Sequence, residues 1–225
     1  MRRRTIKLPG AILALIVLVL AASCTEGADE SPMPGRPVSA EEASLLALAR
    51  YKAWTDSPVS IELRVPDGTT VEAVVDYKER KAVGSFTDGA GRHGMVVWTD
   101  QVVAFAEGAV PEQIDPGAGS LPGEWTRRPM GKELFDRAAG LALGLGDDRP
   151  DNAQLIISGG ARRLRTETVD GVACDVYSGP RPSDADDSEI SPLSYWISEE
   201  GRMKKAEMEF KGLNTPAVVS FPEDA

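Results

Sequence analysis

The chain has 225 residues, of which 42% are hydrophobic and 27% charged, and a formal net charge of −10. That sign disfavours nucleic-acid binding, because affinity for a phosphate backbone comes from Lys and Arg, while the apolar content is enough for a packed core. With two cysteines, Cys24 and Cys174, and the single histidine His93, the chain has neither a disulfide framework nor the several soft ligands that a zinc site needs.

At the N-terminus, Arg2, Arg3, Arg4 and Lys7 precede an uncharged run from Leu8 to Ser23 whose greasy centre is Ala11 to Leu20. A cationic head before a short apolar stretch ending in small residues is an export signal; the head stays on the cytoplasmic side and the rest is carried across. Pro9-Gly10 breaks the start of the run, leaving it shorter than the roughly 20 residues of a spanning helix. Leu20-Ala21-Ala22-Ser23 before Cys24 resembles the bacterial lipobox, although Ala21 stands where leucine is commoner. The lipobox implies residues 1–23 as leader and Cys24 as the first mature residue, bearing a diacylglyceryl group that anchors the chain at the extracytoplasmic face of the cell membrane. Arg3-Arg4 would also suit twin-arginine export, weakly. Residues 24–38, rich in Pro, Gly and acids, read as a flexible tether.

Residues 39–225 have the length of one domain. Ser39 and Glu42 form a capping box ahead of a helix presenting Leu45, Leu48 and Ala49 on one side. After Pro58 the period becomes twofold: Val59, Ile61, Leu63 and Val65 alternate with polar residues, Asp67-Gly68 turns the chain, and Val71, Ala73, Val75 and Tyr77 continue. Further strands are predicted at 81–87, 95–99 and 101–107. From Gly108 to Pro129 the Pro and Gly content predicts loop. Helices follow over 132–145 and, capped by Asp151, over 151–157; strands return at 163–169, 172–178, 193–198, 203–210 and 217–221. The order helix, meander, helices, meander predicts an α+β fold, an antiparallel sheet covered on one face.

Catalytic patterns do not assemble. Gly89, Gly91 and Gly94 spell G-x-G-x-x-G, but the lysine strand and catalytic loop of a kinase are missing and no helix follows, so a hairpin tip carrying His93 is the reading. Asp184, Asp186, Asp187 and Glu189 lack the glycine and spacing of a calcium loop and read as a solvated acidic segment. Cys174, in an alternating strand, reads as a buried, inert thiol. Arg162, Arg163 and Arg165, joined by Arg127 and Arg128, form a candidate patch for anionic headgroups, against the simpler reading of a charged strand face. The chain reads as a non-enzyme with no cofactor and no metal.

The opening amphipathic helix, "TVDGVACDVYSG", "YWISEEGRMKKAEMEF" and the closing "AVVSF" resemble the LolA-like lipoprotein carriers, and among them the lipobox-bearing mycobacterial lipid carriers of the LppX and LprG type. The resemblance spans most of residues 39–221 through loosely spaced motifs. It implies a curved, incomplete β-barrel whose concave face is covered by helices, no catalytic residues, and an apolar cavity for a lipid or other hydrophobic ligand. The inward sets that would line such a cavity are Val59, Ile61, Leu63, Val75, Phe86, Val97, Phe105 and Trp196, with Leu45, Leu48, Leu141 and Leu143 as lid. The same residues would equally make a solid core, since periodicity does not tell a filled interior from a hollow one. The other reading of the domain is a protein-interaction or sensor module of the cell envelope, with no ligand cavity.

Overall fold

The computed structural model describes residues 34–108, 110, 123–181 and 191–222. Cys24 and the acidic run Asp184 to Glu189 lie outside these.

Polar alternation and turn signals place the strands. After β1 (Arg36–Pro37) and helix α1 (Ala40–Thr55) come β2 (Val59–Arg64), β3 (Thr70–Asp76), β4 (Lys81–Thr87), β5 (His93–Thr99), β6 (Val102–Glu107) and β7 (Thr126–Pro129). Helices α2 (Leu134–Gly144) and α3 (Ala153–Ser158) precede β8 (Arg162–Val169), β9 (Val172–Ser178), β10 (Leu193–Ser198), β11 (Met203–Met208) and β12 (Ala217–Ser220). All pair antiparallel in one open sheet of order β1-β8-β9-β10-β11-β12-β2-β3-β4-β5-β6-β7. The first and second meanders therefore join through β12 and β2, where Val219 lies opposite Leu63. The result is an incomplete barrel of the α+β class, with helices on one face.

The two margins, β1 and β7, are short and each contains a proline, Pro37 and Pro129. Proline has no N–H to give a neighbouring strand and is at home on edges. Neither margin is legible in the sequence, where residues 36–38 read as tether and Thr126 to Pro129 as loop. Arg36 and Pro37 instead lie opposite Arg163 and Arg162 of β8, and Val38 is buried, its N–H donating to the Ala161 carbonyl at 3.3 Å.

The centre of the helix-bearing, inner face is a cluster of fully buried side chains. Leu63, Val75, Val96, Trp98 and Val103 meet Ala138, Ala139 and Ala142 of α2, all fully buried. Alanines on that side let α2 approach the sheet, and the Trp98 indole N–H donates to the Ala139 carbonyl at 3.1 Å. Two glycines mark close approaches between neighbouring strands. A Cβ on Gly84 would stand 2.2 Å from the Glu72 carbonyl oxygen and 2.6 Å from the Ala73 Cβ; one on Gly94 would stand 2.1 Å from the Ala106 carbonyl oxygen. Neighbouring strands approach here more closely than any side chain allows.

Helix α1 begins with the expected capping box: the Glu42 N–H donates to the Ser39 hydroxyl oxygen at 3.2 Å and the Ser39 N–H to Glu42 Oε2 at 2.8 Å. Its buried side is Ala43, Leu46, Ala47 and Ala49, not the Leu45 and Leu48 stripe; Leu48 is 37% exposed. Helix α3 is capped by Asn152, whose side-chain oxygen accepts from the Gln154 and Leu155 N–H groups, in place of Asp151.

Candidate functional site

Three clefts open among the described residues where the helices stop covering the inner face, the third, of about 590 Å³, lying between the Leu45 and Leu48 flank of α1 and strands β9 and β10. The first, of about 470 Å³, lies between α1, α2 and α3. Leu46, Leu141, Leu145, Leu155 and Ile156 supply its helical walls, and Leu193, Tyr195 and Met203 its sheet wall. Leu155 stands 67% exposed at the mouth, an apolar side chain left in water by the geometry of the short helix α3. One polar clamp borders this groove. Arg50 donates through Nε to the Gly144 carbonyl at 2.8 Å, through Nη1 to Asp151 at 2.8 Å and through Nη2 to Asp147 at 3.0 Å. It joins α1 to the segment between α2 and α3 and is itself neutralised. Burial pushes the Tyr195 phenol up, so it stays a neutral hydroxyl beside the apolar walls.

The second cavity, of about 770 Å³, opens between the β2–β3 and β4–β5 turns and strands β6 and β7. Phe86, Phe105 and Phe135 form its floor. Phe86 and Phe105 meet edge to face with centroids 5.4 Å apart, and Phe105 and Phe135 lie tilted at 5.2 Å.

The sequence-derived candidates are not gathered into one chamber. Leu141 lies in the groove between the helices, while Phe86 and Phe105 line the aromatic cavity. Ile61, Leu63 and Val75 belong to the packed centre, with Val59 half-buried against it, and Leu143 is buried too. Leu45 and Leu48 sit on the other flank of α1, above Ala173, Tyr177 and Ile197. Val97 pairs with Val83 on the outer face, since its neighbours Val96 and Trp98 point inward. Trp196 is also on the outer face, in a separate cluster with Cys174 and Val176. There it is 1% exposed beneath Lys205 Nζ, 3.7 Å from a ring centroid, and Arg165 at 5.7 Å, and its indole N–H donates to Glu167 Oε2 at 2.6 Å. Gly84 serves the close approach of β3 and β4, lying against Ala73.

Helical spacing places Phe135 and Leu141 on α2, but Arg50, Tyr195 and Met203 carried no sequence signal toward the groove; their contributions come from where α1 crosses the sheet. Arg127 and Arg128 do not join Arg162, Arg163 and Arg165 in one patch. β7 and β8 lie at opposite ends of the strand order, Arg128 grips Asp136 at 2.6 and 2.8 Å, and Arg163 and Arg165 pair with Asp175 and Glu167 at 2.6 and 2.5 Å. Burial of Asp136 opposes its charge, yet hydrogen bonds from Arg128 and the Gly131 N–H outweigh that and hold its carboxyl below the usual carboxylate range. Cys174 is buried, and burial pushes its thiol up. His93 is exposed at the foot of the β4–β5 hairpin, whose tip is Asp88 to Arg92.

Fold and cavities define a class: an open antiparallel barrel with helices on its inner face and apolar clefts beside them, with no cluster of metal-ligating side chains among the described residues. The chain is similar to the Mycobacterium tuberculosis lipoprotein LppX, at 15% identity and a TM-score of 0.43, over 80% of this chain and 93% of that one. It is similar to LprF from Mycobacterium bovis, at 14% identity and a TM-score of 0.44, over 84% and 94% of the two chains. A putative outer membrane lipoprotein-sorting protein domain from Vibrio parahaemolyticus is similar at 11% identity and a TM-score of 0.27, over 82% and 92%. No family model and no curated protein matches the chain.

Proposed function

We propose that this chain is an envelope lipoprotein, held at the extracytoplasmic face of a membrane through lipidated Cys24, whose domain takes up the apolar part of a lipid or other hydrophobic ligand without catalysing a reaction. The supporting observation is the groove between α1, α2 and α3, with Leu155 exposed at its mouth and its one cation, Arg50, already paired. Each methylene withdrawn from water there is worth about 0.8 kcal/mol, so a chain of eight or so carbons held in the groove gains about 6 kcal/mol relative to water. Residues 1–23 would be the leader and the segment after Cys24 the tether; two acyl chains at Cys24 would make the attachment stable where one is marginal.

The test has two arms. Intact mass of the membrane-extracted protein should show the chain starting at a diacylglyceryl-bearing Cys24, and Cys24→Ser should abolish that mass increment; an unmodified cysteine behind an intact leader refutes the anchor. Full-length Cys24→Ser protein should take up a fluorescent fatty acyl probe, and Leu141→Trp, which fills the groove, should weaken uptake at least tenfold. No uptake, or uptake indifferent to Leu141→Trp, refutes the ligand site.

The packed centre beneath α2 favours a second reading, an envelope protein-interaction or sensor module. It expects a stoichiometric protein partner, and no lipid in an organic extract of the purified chain.

A further inference from the structure

We propose a second ligand site, in the cavity between the β2–β3 and β4–β5 turns, that accepts a small organic cation carrying an apolar body, such as an aryl-alkyl ammonium. Two features with independent origins point to this chemistry. The floor is aromatic: Phe86 from β4, Phe105 from β6 and Phe135 from α2 line it from three separate elements, and aromatic rings attract cations. The rim is acidic, with Asp67, Asp88, Glu107 and Glu124 around the opening.

The two arginines at the rim do not cancel this field. Arg92 is held by Asp88 at 2.7 Å and Glu107 at 3.3 Å, and Arg128 by Asp136 and Glu133. Asp67 accepts only the Thr69 N–H at 2.9 Å, and neither Asp67 nor Glu124 has a cationic partner among the described residues. An anion entering here would face net negative charge at the mouth; a cation meets that favourable field and then an aromatic floor. The volume of about 770 Å³ suits a ligand of ordinary small-molecule size. An ammonium on an apolar body is found both on free amines and on some lipid headgroups, and the cavity recognises what they share.

The site uses different residues from the acyl groove, so the two can fail separately. Titration calorimetry on full-length Cys24→Ser protein should show binding of phenylpropyltrimethylammonium and none of phenylbutyrate, its anionic counterpart. Asp67→Asn combined with Glu124→Gln should weaken the cation about fivefold. Phe105→Leu, which keeps apolar bulk and loses the ring, should do the same. Leu141→Trp should leave cation binding unchanged. A dispersed short-chain phosphatidylcholine competing with the probe assigns the site to lipid headgroups; failure to compete assigns it to free amines, and either result supports cation recognition. Equal binding of cation and anion, no binding of the cation, indifference to both rim and floor variants, or loss of binding in Leu141→Trp overturns the proposal.

Discussion

Arg36 and Glu42 face each other through a two-pronged hydrogen bond, Nη1 to Oε2 at 2.8 Å and Nη2 to Oε1 at 2.6 Å. The same carboxylate closes the capping box of α1 through the Ser39 N–H and lies 3.6 Å from Arg163 on β8. A single acid thus ties margin strand, first helix and sheet together at the point where the chain enters the domain.

Acid stability should report this junction. The Arg36 guanidinium, ahead of the Ser39 N–H, holds the Glu42 carboxyl at about 2 against an ordinary 4.5. A carboxyl depressed in the folded state contributes stability that is fully present above pH 4.5 and is lost as pH falls from 4.5 toward 2. Glu42→Gln should flatten that segment of the stability–pH curve, measured by urea denaturation at stepped pH. At neutral pH, Ser39→Ala should cost about 1 kcal/mol through loss of the cap.

Arg128 and Asp136 should behave asymmetrically. The Asp136 side chain is wholly buried while that of Arg128 is 37% exposed and also reaches Glu133 at 2.7 Å. Arg128→Met strands a buried carboxylate and should cost about 3 kcal/mol at pH 7. Asp136→Asn leaves an arginine that still has Glu133 and water, and should cost distinctly less. Equal losses in chemical denaturation would contradict this account of the pair.

Two glycine-to-alanine changes should move stability in opposite directions. Gly84→Ala puts a carbon 2.2 Å from the Glu72 carbonyl oxygen, inside the sheet, and should cost about 3 kcal/mol or prevent folding. Gly140→Ala adds a carbon with nothing within 4 Å on the exposed side of α2 and should gain about 1 kcal/mol of helix propensity. Thermal melts of the two variants beside the parent are sufficient.

Overfilling the interface beneath α2 should also be costly. Ala139 is fully buried and its carbonyl receives the Trp98 indole N–H at 3.1 Å, so Ala139→Leu has nowhere to place its extra carbons and should lose about 2 kcal/mol. A variant as stable as the parent would mean that the centre holds more room than the packing shows.

The strands legible in the sequence were those with polar alternation and a turn residue between them, such as Val59–Arg64 and Thr70–Asp76 around Asp67-Gly68. The margins were not, because β1 has two residues and β7 alternates no apolar side chain. Facing was the harder question. In β5, Met95, Val96, Val97 and Trp98 are all apolar, and both sheet faces bury side chains there, so the sequence offers no polar partner to fix parity; Val97 was placed inward and lies outward. Trp196 went the same way because an apolar ring was assumed to seek the main core, whereas Lys205 and Arg165 roof it on the far side. In α1 the leucines at 45 and 48 outweighed the smaller Ala43 and Ala47, yet short side chains are what let a helix lie close to a sheet. The groove depends on how three helices end and cross, and no single segment records that.

For a chain anchored as proposed through Cys24, the prolines at both margins of the sheet bear on life in two dimensions. Molecules tethered to one surface meet far more often than the same number free in solution, and an exposed strand edge would then template lateral filaments. Pro37 and Pro129 each withhold a backbone donor at the places where a neighbouring molecule would begin to zip on. Crowded domains would therefore slide past one another as separate particles.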